Sequence, residues 1–149
     1  MTAGDRVGPG YSGTPLARKL GLKDGQVALF VGLPPELAWL REAAGFMSVD
    51  TAEGVEAIAA RRDLDFIHLF ATEAAVLRQA APLIRRALKP AGMAWISWPK
   101  RASKRPTDIT EDVIRDVVLP TGLVDVKVAA VDEVWSGLKL MIRKTERPA

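Results

Sequence analysis

The residues able to do chemistry stand in a few short, widely spaced blocks. Val131-Asp132-Glu133-Val134-Trp135-Ser136-Gly137 sets two adjacent carboxylates beside an indole and a hydroxyl. Such a pair can push its two pKa values apart and do acid–base work, although adjacent carboxylates in a strand connection commonly serve as solvated turn residues. Trp98-Pro99-Lys100 opens a basic loop in which Lys100, Lys104 and Arg105, with the hydroxyls of Ser103 and Thr107, could hold a phosphate or carboxylate. Asp108 and Glu111 follow closely enough to neutralise it, and Lys100 could equally pair with Asp132 or Glu133 and tie the two loops together. Trp98 and Trp135 offer flat apolar walls to a ligand or partner, or else cover the core and bond through their indole N–H. Tyr11 and Ser12, in Gly10-Tyr11-Ser12-Gly13-Thr14-Pro15, add a phenol and a hydroxyl near the N-terminus. His68 lies inside an apolar run, away from any strand end, and reads as a core residue rather than a catalyst.

The elements that must position these blocks follow from hydrophobic patterning. Apolar runs at 26–31, 65–70 and 93–98 read as buried strands, the last apolar almost throughout. Thr14-Pro15 starts a short helix ending at Gly21, and Pro34-Pro35 starts a second to about Ala44. Phe46–Val49 reads as a short strand, and Thr51–Arg62 as an Ala-rich helix with Val55, Ile58 and Ala59 inward. A helical stretch from Glu73 to Leu88 must be kinked or split by Pro82, and Thr110-Glu111-Asp112 opens a last helix. Two final strands, about 124–130 and 138–143, are joined too closely to be anything but antiparallel. The alternation predicts a Rossmann-like α/β three-layer sandwich of about six strands, mostly parallel, closed by an antiparallel C-terminal strand.

Composition narrows the function classes. At 149 residues and 48% hydrophobic, the chain suits one core-bearing domain, expected over 11–145 after a flexible lead-in at 1–10. With no cysteine there is no disulfide framework and no thiolate metal site, and no metal is expected. No apolar run reaches the roughly 18 residues a membrane span needs, and the polar start does not read as a signal peptide. A cytoplasmic protein is expected. A net charge of +3, with one dense basic cluster at Lys100–Arg105, is weaker than dedicated nucleic-acid binders carry.

The segment Asp65–Trp98, with its Leu88-Lys89-Pro90-Ala91-Gly92 turn, resembles the later half of the class I S-adenosylmethionine methyltransferase fold. The whole chain, through the Tyr11, Trp98-Pro99-Lys100 and Val131–Lys139 blocks, is similar to an uncharacterised bacterial family, a domain of unknown function with a degenerate form of that fold. The resemblance implies a cofactor turn after the first strand and a ribose-binding carboxylate after the second, for which Asp50 is the candidate. The turn here, Val31-Gly32-Leu33-Pro34-Pro35-Glu36, keeps one glycine, and its two prolines remove N–H donors. About thirty residues separate the first strand from the one at Asp65, so a strand and helix of the parent fold are expected to be lost.

Ligands of open α/β sheets lie outside the carboxyl ends of the parallel strands. That edge is expected to gather Tyr11, Ser12, Gly32, Trp98, Lys100, Ser103, Asp132, Glu133, Trp135 and Ser136. The degenerate turn favours a non-methylating domain that binds a small molecule or a protein there, with no cofactor. The alternatives are an S-adenosylmethionine-dependent methyltransferase with an altered cofactor loop, and nucleic-acid binding through Lys100–Arg105. A homodimer is compatible with all three, because the sheet must leave an edge strand somewhere.

Overall fold

The computed structural model describes residues 15–147; Tyr11, Ser12 and the expected lead-in lie outside them. Six strands form one sheet: β1 (Val27–Val31), β2 (Ser48–Ala52), β3 (Leu64–Phe70), β4 (Leu88–Pro99), β5 (Leu123–Ala130) and β6 (Trp135–Ile142). Their order is β2-β1-β3-β4-β6-β5. The first four pair in parallel, while β6 runs antiparallel to both β4 and β5. This is the mixed α/β sheet expected from the alternation of strands and helices.

The apolar strand runs exist because both faces of the sheet are covered. On the front face, Ala28, Phe30, Phe66, Phe70, Trp95 and Trp135 join one buried cluster with Leu20, Leu37 and Leu40. The cover there is a short helix α1 (residues 15–20) and a 3-10 segment at Pro35–Glu42. On the back face, Val27, Leu29, Ile67, Leu69, Ile96, Trp98, Leu138 and Leu140 meet α2 (Ala74–Ala87) and α3 (Glu111–Val118).

The strand expected at 93–98 begins at Leu88 and takes in the expected Leu88–Gly92 turn, and three further elements depart from the sequence expectation. The Pro34-Pro35 segment winds as 3-10 rather than α helix. The expected Thr51–Arg62 helix is replaced by the end of β2 and a single 3-10 turn at Val55–Ile58, and Ala59 is exposed. Pairing of Thr51 and Ala52 with Phe30 and Val31 claims the backbone groups a helix would have used. α2 continues through Pro82 as one element. The ring sits on the exposed side, and the carbonyl it leaves unpaired belongs to exposed Arg78 and can be hydrated. The buried stripe of α2 is Ala74, Leu77, Ala80, Ala81, Ile84 and Ala87, where alanines let the helix lie close to the sheet.

One polar contact crosses the front layer. The indole Nε1 of fully buried Trp95 donates to the Leu20 carbonyl at 2.9 Å, fastening the end of α1 over the middle of β4. Trp95→Phe removes that bond and the outer part of a fully buried ring system, leaving a small cavity. Urea unfolding is expected to show a loss of about 1–2 kcal/mol.

Candidate functional site at the carboxyl edge of the sheet

β1 is flanked by β2 and β3, and the chain passes from one side of β1 to the other in going from β2 to β3. Such a reversal opens a crevice at the strand ends. Gly32 sits at its mouth. Its N–H donates to the Ala52 carbonyl at 2.8 Å, which ties the turn to the tip of β2. On the other side, a Cβ at Gly32 would stand 2.8 Å from the Phe70 carbonyl oxygen, and φ is +71°. Only glycine satisfies both conditions, so three strand tips meet on one residue.

Glu53 follows Ala52 directly and is exposed at the tip of β2. Among the described residues its carboxylate has no ion pair. Asp50, the sequence candidate for a ribose-binding carboxylate, instead pairs with Leu29 inside the ladder, and its carboxylate takes a 3.0 Å contact from Arg61. Sequence reading missed Glu53, although it lies about twenty residues past the glycine turn, the separation typical of a ribose-binding acid in dinucleotide folds.

Farther along the edge, the expected residues are gathered but turned to different faces. Trp98 belongs to the back-face cluster and Trp135 to the front-face cluster, so the two indoles do not wall one cleft. Trp135 packs edge-on to Phe70 at 5.3 Å between ring centroids, and its indole nitrogen is buried without a partner among the described residues. The backbone N–H of Lys100 donates to Val134 at 2.6 Å, so main chain ties these two loops together. Asp132 accepts the N–H groups of Val134 and Trp135 at 2.8 and 2.7 Å and serves as the turn's own brace. Glu133 is exposed, and Ser136 stands opposite Trp98 in the β4–β6 ladder. The Ser103 hydroxyl donates to the Lys100 carbonyl.

The loop after β4 forms one wall of a groove of about 730 Å³, floored by Trp98, Pro99 and Ile109. Arg101, Lys104 and Arg105 reach it from the loop, and Glu111, Asp112 and Arg115 from the start of α3. The acids expected to neutralise the loop are committed elsewhere. Asp108 accepts the Ala74 N–H at 2.7 Å at the start of α2, and Glu111 bonds Arg115 at 2.9 Å. Arg115 also binds Asp125 and Asp112. The hydrogen bonds to Asp125 and then Glu111 hold its guanidinium above the ordinary arginine value, and Asp125 is correspondingly held below the ordinary carboxylate value.

No protein-family model matches this sequence, and no curated protein matches it. Solved structures do. The chain is similar to an S-adenosylmethionine-dependent methyltransferase from Aquifex aeolicus, with TM-score 0.63 and 17% identity over 86% of this chain and 88% of that one. It is similar to the ribosomal protein L11 methylase of Lactobacillus delbrueckii subsp. bulgaricus, with TM-score 0.63 and 14% identity over 89% and 79%. The Haemonchus contortus phosphoethanolamine N-methyltransferase 2, in complex with S-adenosyl-L-methionine, gives TM-score 0.62 and 10% identity over 89% of this chain and 52% of its own. The fold is therefore the Rossmann-like α/β fold of class I methyltransferases. These neighbours correct two expectations drawn from the degenerate turn, that the domain is non-methylating and that it takes no cofactor: the Aquifex neighbour is named an S-adenosylmethionine-dependent methyltransferase, and the Haemonchus one is solved with that cofactor. Among the described residues, no helix is long and apolar enough to cross a membrane.

His68 lies deep in the front layer, behind this edge. It is fully buried, stacked on Phe70 at 4.1 Å, and its Nε2 shares a 2.7 Å hydrogen bond with Ser97 Oγ, while Nδ1 has no partner among the described residues. Burial pushes its pKa from 6.5 down to about 3. Between those values the unfolded chain takes up a proton that the folded chain refuses. Stability is then full above about pH 6.5 and is lost as pH falls toward about 3, with a slope approaching 1.4 kcal/mol per pH unit. His68 is the only histidine in the chain. Urea midpoints measured from pH 7 down to 5 are expected to fall in the parent protein and to stay nearly level in His68→Gln.

Proposed function

We propose that this chain is an S-adenosylmethionine-dependent methyltransferase whose cofactor lies across the crevice at Gly32. The observation that carries the reading is the coincidence, at the sheet's reversal point, of a left-handed glycine turn with an uncommitted carboxylate, Glu53. The residues present fit the cofactor. The absent Gly32 side chain makes room for the Phe70 carbonyl and so draws the β1 and β3 tips together at the crevice, and Glu53 can accept hydrogen bonds from ribose hydroxyls. The cofactor, when bound, supplies an electrophilic methyl group.

Pro34 and Pro35 withhold two N–H donors at this turn. That loss is compatible with a ligand that has no phosphate needing a run of backbone donors. Leu33 and Leu37, partly and fully buried beside the turn, give the crevice an apolar flank. The loop after β4 is joined to the same edge, because Thr107 Oγ1 donates to the Thr72 carbonyl at 2.6 Å just past the tip of β3. The chain's own work in this scheme is orientation: the ribose at Glu53, and the acceptor beside the β3 and β4 ends.

Isothermal titration with S-adenosylmethionine and with S-adenosylhomocysteine tests the reading. Saturable heat is expected for both, weakened about tenfold or more in Glu53→Ala, the loss of one hydrogen-bonding charged partner. Glu53 is exposed, so this variant should fold like the parent. No heat from either ligand at about 1 mM, a concentration that reports even weak complexes, would overturn the assignment.

A further inference from the structure

We infer that the groove between the β4–α3 loop and α3 is the acceptor subsite, and that the acceptor is a small organic anion, a phosphate or carboxylate on an apolar body. The inference rests on the methyltransferase reading for the word acceptor, but the anion site itself stands on its own geometry.

The first support is charge that nothing among the described residues neutralises. Four cations and two carboxylates line the groove. Both carboxylates, Glu111 and Asp112, are bonded to Arg115 on their own wall. Among the described residues, Arg101, Lys104 and Arg105 have no carboxylate within ion-pair distance. The groove lining keeps an excess of positive charge, concentrated on the loop side, while the α3 side with its two acids and one arginine is slightly negative; a concave wall of cations attracts an anion.

A second support is that the loop presenting these cations is braced. Lys104 N–H donates to Arg101 at 3.1 Å, and Ser103 Oγ donates to the Lys100 carbonyl while accepting the Arg105 N–H. Thr107 anchors the far end to Thr72 and accepts the Ile109 N–H. Within this frame Lys104 is the one described non-glycine residue with positive φ, at +61°. A left-handed lysine costs about 1–2 kcal/mol relative to glycine, and here that conformation caps the 3-10 turn at Arg101–Ser103. The cap fixes the backbone of a cation that lines the groove.

The floor then defines the rest of the ligand. Trp98, Pro99 and Ile109 also line the groove, each buried enough to offer only a narrow apolar strip, against which an aromatic or aliphatic body carrying the anionic group could lie. Anchoring at Thr72 sets this wall next to β3, the strand whose last carbonyl abuts Gly32. Acceptor and cofactor would accordingly approach from the two sides of the β3 tip.

The test is calorimetric titration of the full chain with phenyl phosphate, phenylacetate and inorganic phosphate, without cofactor. Phenyl phosphate is expected to saturate below about 10 mM and to bind more tightly than inorganic phosphate. The variant carrying Arg101→Ala, Lys104→Ala and Arg105→Ala is expected to lose at least about tenfold in affinity for it, while keeping the parent's response to S-adenosylhomocysteine. Phenylacetate tells whether a single negative charge suffices or phosphate is preferred. No saturable heat from either aromatic anion, or equal affinity in the triple variant, would overturn the site. Tight binding of a single-stranded oligonucleotide, with a steep salt dependence and no phenyl phosphate binding, would overturn the small-anion reading in favour of nucleic acid. If the anions bind but S-adenosylhomocysteine does not, the anion site stands and the acceptor role falls.

Discussion

Gly32 is held between two carbonyl groups, donating its N–H to Ala52 on one side and lying against Phe70 on the other. That double contact fixes how the tips of β2, β1 and β3 come together, and so fixes the crevice. A side chain there would press on backbone rather than on a movable group, and φ would be strained besides. Everything assigned to the carboxyl edge depends on this closure. It places Glu53 beside the turn, and it puts the end of β3 within reach of the loop that follows β4.

The sheet then separates two tasks between its faces. Its front is aromatic, with Phe30, Phe66, Phe70 and Trp95 grouped around His68 and α1 fastened to Trp95. A histidine kept neutral by burial contributes packing and one hydrogen bond there, and no proton chemistry near neutrality. Behind the sheet, Arg115 gathers the carboxylates of Glu111, Asp112 and Asp125 and braces α3 against β5. These ion pairs are largely exposed and individually weak. One guanidinium shared by three carboxylates leaves this cluster net negative, facing the three cations of the loop after β4 across the groove.

Much of this was legible in the sequence. The strands at 65–70 and 93–98, the Thr110 cap of α3 and the antiparallel final pair all follow from patterning that local physics reproduces. Thr110 Oγ1 accepts the Val113 N–H, as its position before two acids implies. What the sequence hid was set by tertiary pairing. Thr51 and Ala52 have helix-compatible neighbours, yet the ladder to β1 takes them, and this shift moves the tip of β2 from Asp50 to Glu53. Trp98 and Trp135 look alike in sequence, but register puts them on opposite faces. Asp132 and Asp108 looked available for chemistry or neutralisation, and both serve backbone N–H groups.

The measurement that bears most directly on the cofactor crevice is a two-dimensional amide NMR titration of isotope-labelled protein with S-adenosylhomocysteine. If the crevice holds the cofactor, the resonances of Gly32, Leu33 and Glu53 shift progressively and saturate together, and those of Gly25, Lys89 and Gly92 at the opposite, amino-end edge stay in place. Shifts confined to that opposite edge, or a spectrum unchanged at saturating ligand, would contradict the assignment.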